Sequence, residues 1–282
     1  MFLIHEARMI VPNLHQITVE APEVARSWRP GQFVVVRAEP EGERIPLSVA
    51  DLDTKSGTIT FVFLNVGYTT NRLASLEAGE FLPTVVGPLG NPLQLEPVKS
   101  VLLVGGCYGM GSLYPFAKAY HELGSEVIVV SEARSSFLLY WQERYRKLTS
   151  QVFCITRDGS LGLRGHVKQM EKIFEKHGTP ELMIANGCNH LLQTACATVQ
   201  PFGIRSLVSL NTIMIDGTGM CGVCRVTVGG ETKFACVDGP YFDGQAVDWE
   251  ELTLRRKSYL YQETLSTFSS SSCNHHLPAR SA

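Results

Sequence analysis

Three of the eight cysteines fall within 16 residues: Cys221 and Cys224 as a C-x2-C pair, and Cys236 after eleven more residues. A pair at that spacing can wrap one metal centre. The eleven residues, Arg225 to Ala235, read Arg-Val-Thr-Val, Gly229-Gly230, Glu-Thr-Lys-Phe-Ala, which predicts a short hairpin. A hairpin carries Cys236 back beside the first two thiols. Zinc and iron–sulfur clusters need four ligands, and three soft thiolates are then at hand. The segment holds no fourth Cys and no His, so Asp216, five residues before Cys221, is the local candidate for the fourth. Glycines at 217, 219 and 222 let backbone N–H groups reach cluster sulfurs, which favours an iron–sulfur cluster. Structural zinc, a disulfide and inert buried thiols are the alternatives at this spacing.

Two kinds of element must position that segment. Residues 1–97 read as all-β: alternating runs at Leu14–Val19, Gln32–Val36 and Gly57–Leu64 are punctuated by Pro30-Gly31, Gly87-Pro88 and Gly90-Asn91-Pro92. The spacing predicts a small antiparallel barrel. From Val101 the pattern changes to buried apolar runs at 101–104, 127–130, 152–156, 182–185 and 206–210. Helical segments at 113–123, 137–148, 165–176 and 191–198 separate them, so residues 98–210 predict a five-stranded parallel α/β sheet. Residues 211–255 form a third unit, too small to hold together without its metal. Residues 256–282 end in a polar, serine-rich tail with a solvated His275-His276, ordered if at all against a partner.

The chain has 282 residues, 44% of them hydrophobic, enough for two domains and a small appendage. With 25 basic against 27 acidic residues and no basic block, nucleic acid is not an expected partner. No apolar run approaches bilayer length, and Glu6 comes too early for a signal peptide, so a reducing cytoplasm is the expected location. The scattered Cys107, Cys154, Cys188, Cys196 and Cys273 are expected mostly in the core.

Other stretches offer ligand contacts. Arg44-Ile-Pro46-Leu47-Ser48 sets an Arg close to a hydroxyl beside a barrel strand, suited to a pyrophosphate and a flavin ring; an exposed Arg beside a strand is the plainer reading. Gly67 with Thr69 and Thr70 opens a helix-like segment, where free N–H groups suit a phosphate or simply form a cap. Gly105, Gly106 and Gly109 follow the first parallel strand, where open α/β sheets bind nucleotide phosphates, although the loop is not a clean G-x-G-x-x-G. Arg134 ends the second strand, placed for a ribose or 2′-phosphate, and the Asp158-Gly159-Ser-Leu-Gly162 turn ends the third. Together these turns predict a cleft along the C-terminal edge of the sheet.

The order barrel, α/β lobe, cysteine unit resembles the ferredoxin-NADP-reductase superfamily over the chain to about residue 255. Within it, Ser209-Leu-Asn-Thr-Ile-Met-Ile-Asp-Gly-Thr-Gly-Met-Cys-Gly-Val-Cys224 and Phe234-Ala-Cys-Val-Asp-Gly-Pro-Tyr-Phe-Asp-Gly244 carry the likeness to one branch. That branch holds the dihydroorotate dehydrogenase electron-transfer subunit, the sulfide dehydrogenase β-type subunit and the small subunit of NADH-dependent ferredoxin:NADP oxidoreductase. The resemblance implies FAD on Arg44, Pro46, Leu47 and Ser48 and around Phe63, Gly67, Thr69 and Thr70. It implies NAD(P)H on Gly105, Gly106, Gly109, Arg134, Asp158 and Gly159. It implies a [2Fe–2S] cluster on Asp216, Cys221, Cys224 and Cys236, with no residue acting as acid or base. Dihydroorotate-type members carry a Cys where this chain has Asp216, and an Asp there resembles the transhydrogenase and sulfide dehydrogenase types. The implied function is an NAD(P)H-dependent flavin and iron–sulfur oxidoreductase subunit that passes electrons to a larger partner subunit with its own flavin or iron–sulfur centres.

The glycine loop departs from the family's Gly-Gly-Gly-x-Gly-x-Ala-Pro, with Cys107-Tyr108 replacing a small pair and Gly111-Ser112 standing for Ala-Pro. Two other readings follow: a free-standing reductase serving a ferredoxin, and an electron-relay subunit whose nucleotide site has decayed.

Overall fold

A computed structural model describes residues 1–261 and Leu265. The polar tail, with Cys273 and His275-His276, lies outside the described residues. The first unit comprises β1 (Phe2–Val11), β2 (Leu14–Glu20), α1 (Pro22–Ser27), β3 (Phe33–Arg37), β4 (Ile45–Asp53), β5 (Thr58–Leu64), α2 (Tyr68–Ala74), β6 (Phe81–Leu82) and β7 (Thr84–Leu89). Its seven strands pair antiparallel in the order β6-β1-β2-β5-β4-β3-β7, a nearly closed barrel. The β-branched and aromatic residues of these runs close on an apolar centre that includes Ile17, Val34, Val36, Ile59 and Phe61.

The second unit comprises β8 (Ser100–Gly106), α3 (Gly109–Glu122), β9 (Glu126–Ala133), α4 (Gln142–Arg146), β10 (Val152–Thr156), β11 (Leu163–Arg164), α5 (Glu171–His177), β12 (Leu182–Asn186), α6 (Asn189–Val199) and β13 (Arg205–Ser209). The chain then adds β14 (Arg225–Val228), β15 (Glu231–Phe234), β16 (Tyr241–Asp243) and α7 (Trp249–Arg256). The sheet order is β11-β10-β9-β8-β12-β13-β16. The five expected parallel strands therefore form its centre, with two-residue β11 at one edge. At the other edge β16, from the cysteine segment, pairs antiparallel with β13, Ser209 facing Tyr241.

Two expected helices differ. The segment 137–148 is not one helix: a 3-10 turn at Ser136–Leu138 is separated from α4 by Trp141, whose φ of 60° breaks the helical path. The segment 165–176 begins as a 3-10 turn, Val167–Met170, and becomes α5 only at Glu171.

One apolar cluster crosses all three parts of the chain, from Phe33 and Val35 of the barrel through Val104 and Leu192 of the lobe to Cys224, Val226 and Cys236. The cysteine loop rests on the barrel at Gly217. Its φ is +74°, and a Cβ there would stand 2.8 Å from Val35 Cγ2, so only glycine allows this approach.

Candidate functional site

The cysteine segment folds as its spacing predicts. β14 and β15 pair from Arg225–Phe234 to Val228–Glu231, turned by Gly229 and Gly230, both at positive φ. The Ala235 N–H donates to the Cys224 carbonyl at 3.1 Å, which returns the strand to its start. Cys224 Sγ and Cys236 Sγ are then 3.2 Å apart, with both residues almost fully buried. Cys221 Sγ stands 3.2 Å from Asp216 Oδ1. The Asp216 carboxylate also accepts from the backbone N–H groups of Thr218, Met220 and Cys221. Desolvation raises its pKa, but the Cys221 thiol, Thr218 and these amides outweigh it and hold the carboxyl at about 2. Burial and the adjacent Cys224 push the Cys236 thiol up to about 12, opposed by the N–H of Gly219.

The four donors thus stand as two pairs, Asp216 with Cys221 and Cys224 with Cys236. Among the described residues no three such side chains converge on one point fit for a single metal ion. Two pairs of donors with backbone amides beside them suit a two-iron cluster, in which each iron takes two protein ligands.

A cleft of about 500 Å³ lies where the three parts meet. Pro46, Leu47 and Ser48 of β4, Phe63 of β5 and Thr70 of α2 line its barrel side. Tyr108, Asn186 and Cys188 face them from the α/β lobe, and Asn211, Thr212 and Met214 close it from the cysteine segment. Met214 precedes Asp216 by two residues, so the cleft wall and the cysteine site are about 7 Å of chain apart at most. Arg256 borders both this cleft and a smaller hollow of about 320 Å³ beside Cys221.

The remaining barrel residues lie around it differently. Arg44 is exposed just before β4 and is not among the cleft-lining residues. The Thr69 hydroxyl donates to Glu43 at 2.6 Å. The Thr70 hydroxyl accepts from the N–H groups of Val66 and Gly67 and so caps α2 itself.

The glycine loop is tightly packed. A Cβ on Gly109 would fall 2.0 Å from the Asn186 carbonyl oxygen, and one on Gly105 or Gly106 would strike Met110 or Leu191. Above these glycines the Tyr140 hydroxyl accepts from the Gly111 N–H at 2.7 Å and donates to the Cys107 carbonyl at 2.9 Å, which occupies the start of α3. The Tyr108 hydroxyl donates to the Gly187 carbonyl at 3.0 Å and accepts from Asn211 Nδ2 at 2.8 Å, and its burial raises the phenol's pKa. Arg134 is exposed at the end of β9, where its carbonyl accepts from the Asp158 N–H. Gly159 completes that turn at a φ of +78°. Ser160, through its hydroxyl and its amide, and Ser135 hold the Asp158 carboxyl at about 2.

Three participants carry no local signal. Tyr140 and Asn211 act through partners 29 and 103 residues away. Buried Glu132 accepts from the Val167 N–H at 2.8 Å and faces Arg157 and His166, tying β9 to the next crossover. The expectation of core cysteines also needs correction. Cys154 and Cys196 are buried, but Cys107 and Cys188 are exposed because both lie in loops beyond the strand ends.

Comparison with known proteins agrees with this architecture. The iron–sulfur cluster binding domain of dihydroorotate dehydrogenase B matches residues 211–248. The dihydroorotate dehydrogenase B (NAD(+)) electron transfer subunit homolog of Thermotoga maritima is 43% identical over 258 residues, 91% of each chain. The electron transfer subunit of Geobacillus kaustophilus is 31% identical over 83% of this chain and 93% of its own. A solved structure of the NADH-dependent reduced ferredoxin-NADP oxidoreductase superposes with a TM-score of 0.90 at 39% identity, over 95% of this chain and 97% of that one. Among the described residues no helix is long and apolar enough to cross a membrane.

Proposed function

The chain belongs to the family of dihydroorotate dehydrogenase B electron-transfer subunits, and from that premise we propose that it is the flavin and iron–sulfur subunit of a larger oxidoreductase, taking electrons from NAD(P)H. The observation that carries this reading is the shared cleft, bordered at once by the barrel, the parallel sheet and the chain that leads directly into Asp216. A bound FAD would accept a two-electron hydride and release single electrons to a [2Fe–2S] cluster.

The residues present suit those groups. The apolar wall of Phe33, Pro46, Leu47 and Phe63 matches a flavin ring, and Ser48 and Asn211 add polar groups at its border. Asp216, Cys221, Cys224 and Cys236 would hold the cluster. The chain's work there is positioning and exclusion of water, since no acid or base is required. The exposed Ile215, Met220 and Val237 beside these ligands suit the surface of a larger partner subunit. NAD(P)H would meet the lobe at the strand ends near Arg134 and the Asp158 turn.

A second reading, in which electrons enter from a partner, is favoured by Tyr108 and Tyr140, whose hydroxyls fill the glycine loop. Anaerobic titration of the loaded protein with NADH and then NADPH separates the two. Bleaching of flavin and cluster absorbance supports nucleotide entry, and the more effective nucleotide identifies the donor. Chromophores that stay oxidised with both overturn it.

A further inference from the structure

Seven cysteines are described. Three belong to the cluster site, and Cys154 and Cys196 are buried. The other two, Cys107 and Cys188, are exposed and lie on the neighbouring loops that follow β8 and β12. β8 and β12 are parallel neighbours with Gly105 opposite Asn186, and each thiol lies two residues beyond that pair. Adjacent strands run ~5 Å apart at that pair, the chains turn just beyond it at Cys107 (φ 51°) and Gly187 (φ 155°), and a disulfide accepts a Cα separation of ~4.4–6.8 Å.

The two loops stay in contact past the strands. The Tyr108 hydroxyl, next in sequence to Cys107, donates to the carbonyl of Gly187, next to Cys188, at 3.0 Å. A Cβ on Gly187 would lie 3.5 Å from the Gly106 carbonyl oxygen, and one on Gly109 would lie 2.9 Å from the Gly187 nitrogen. Burial pushes the Cys107 thiol upward although its edge meets solvent, and the charge of Cys188 adds to that. Cys188, the N-cap residue of the eleven-residue α6, is exposed while Cys107 is crowded, so Cys188 is the more accessible first nucleophile.

We propose that Cys107 and Cys188 form a surface dithiol, a site of exchange with small disulfides that closes into an intrachain disulfide across the ends of β8 and β12. The Cys188 thiolate attacks one sulfur of a disulfide R–S–S–R; that S–S bond breaks, and RS⁻ leaves and takes up a proton. Cys107 releases its proton to water and attacks the Cys188 sulfur of the mixed disulfide, expelling the second RSH. Two protein thiols are oxidised and one small disulfide is reduced to two thiols. Neither flavin nor cluster takes part. Because Tyr108 and Cys188 line the cleft, closure fixes its lobe-side wall. Its consequence for nucleotide entry rests on the function proposed above.

The test uses the flavin- and cluster-loaded protein with oxidised glutathione, followed by maleimide trapping in acid and non-reducing peptide mapping. The expected product joins the Cys107 and Cys188 peptides and is reversed by dithiothreitol, with cluster absorbance unchanged. In Cys107→Ser, glutathione should remain on Cys188 with no cross-link. Glutathione on each thiol independently, or on neither, while the cluster stays intact, overturns the proposal. Flavin and cluster absorbance of the variant confirm folding. Separately, oxidation should weaken NADH binding at least about tenfold in the parent, and dithiothreitol should restore it. Reduced protein that binds no NADH would remove the nucleotide reading, while the cross-link result still decides the dithiol.

Discussion

Asp51 of β4 receives Lys118 of α3 at 2.6 Å, a direct ion pair between the barrel and the α/β lobe. Arg144 meets the second oxygen of the same carboxylate, and its guanidinium lies 4.1 Å from the Trp141 ring centroid and 4.4 Å from that of Tyr114. The three side chains are only partly exposed, so their attraction is less screened than that of a surface pair. Asp51→Asn leaves two cations without their counter-charge and should cost about 1–2 kcal/mol in chemical denaturation. The cleft is bordered by the same two units, so flavin retention should fall in step. Unchanged stability would mean that apolar packing alone joins the two units.

Gly109 tests whether the glycine loop is shaped by packing or by a ligand. An added Cβ meets the Asn186 backbone at 2.0 Å, and backbone cannot yield as a flexible side chain can. Gly109→Ala should destabilise the ligand-free protein by at least ~2 kcal/mol, as overpacking does elsewhere. Thermal unfolding without nucleotide is the measurement. A variant of normal stability that loses only nucleotide affinity would move this glycine from a packing role to a binding one.

In the proposed cluster assignment, Asp216 as fourth ligand sets this chain apart from an all-cysteine site. Its carboxylate is already oriented by three backbone amides beside Cys221. Asp216→Ala should lower iron content and change the EPR signal of the reduced cluster. Asp216→Cys should keep the iron and shift both the signal and the midpoint potential, because a softer ligand changes cluster charge and donation. An Ala variant with the parent's iron content and spectrum would exclude Asp216 as a ligand.

The parts of the molecule written in local sequence were legible. Contiguous apolar runs marked the five parallel strands, and Gly229-Gly230 between Cys224 and Cys236 marked the hairpin. The interruption at Trp141 was not, because periodicity carries a helix through any residue able to adopt helical angles. Nor were the links that assemble the cleft. Lys118 to Asp51 and Asn211 to Tyr108 span 67 and 103 residues, and nothing local marks either partner. The exposed thiols escaped for another reason: cysteine is a core residue by default, and only the ends of β8 and β12 show that Cys107 and Cys188 lie in loops beyond the strands.

Asp158 gives the candidate nucleotide turn an acid limit. Its carboxylate accepts from the Ser160 N–H at 2.9 Å and the Ser160 hydroxyl at 2.6 Å, while that hydroxyl oxygen accepts from the Ser136 N–H at 2.8 Å. These bonds, led by the Ser160 hydroxyl, lower the pKa from 3.8 to about 2. A carboxyl depressed on folding contributes stability that is fully present above its unfolded value and is lost as pH falls through its folded value. The window therefore runs from about pH 4 down to about pH 2. Across it the parent should lose its advantage over Asp158→Asn, whose amide does not titrate, and the two unfolding curves should converge toward pH 2. The carboxylate is solvent-exposed, so the gap will be small and will shrink with added salt. Curves that stay parallel across that window would show that the turn is held by its backbone alone.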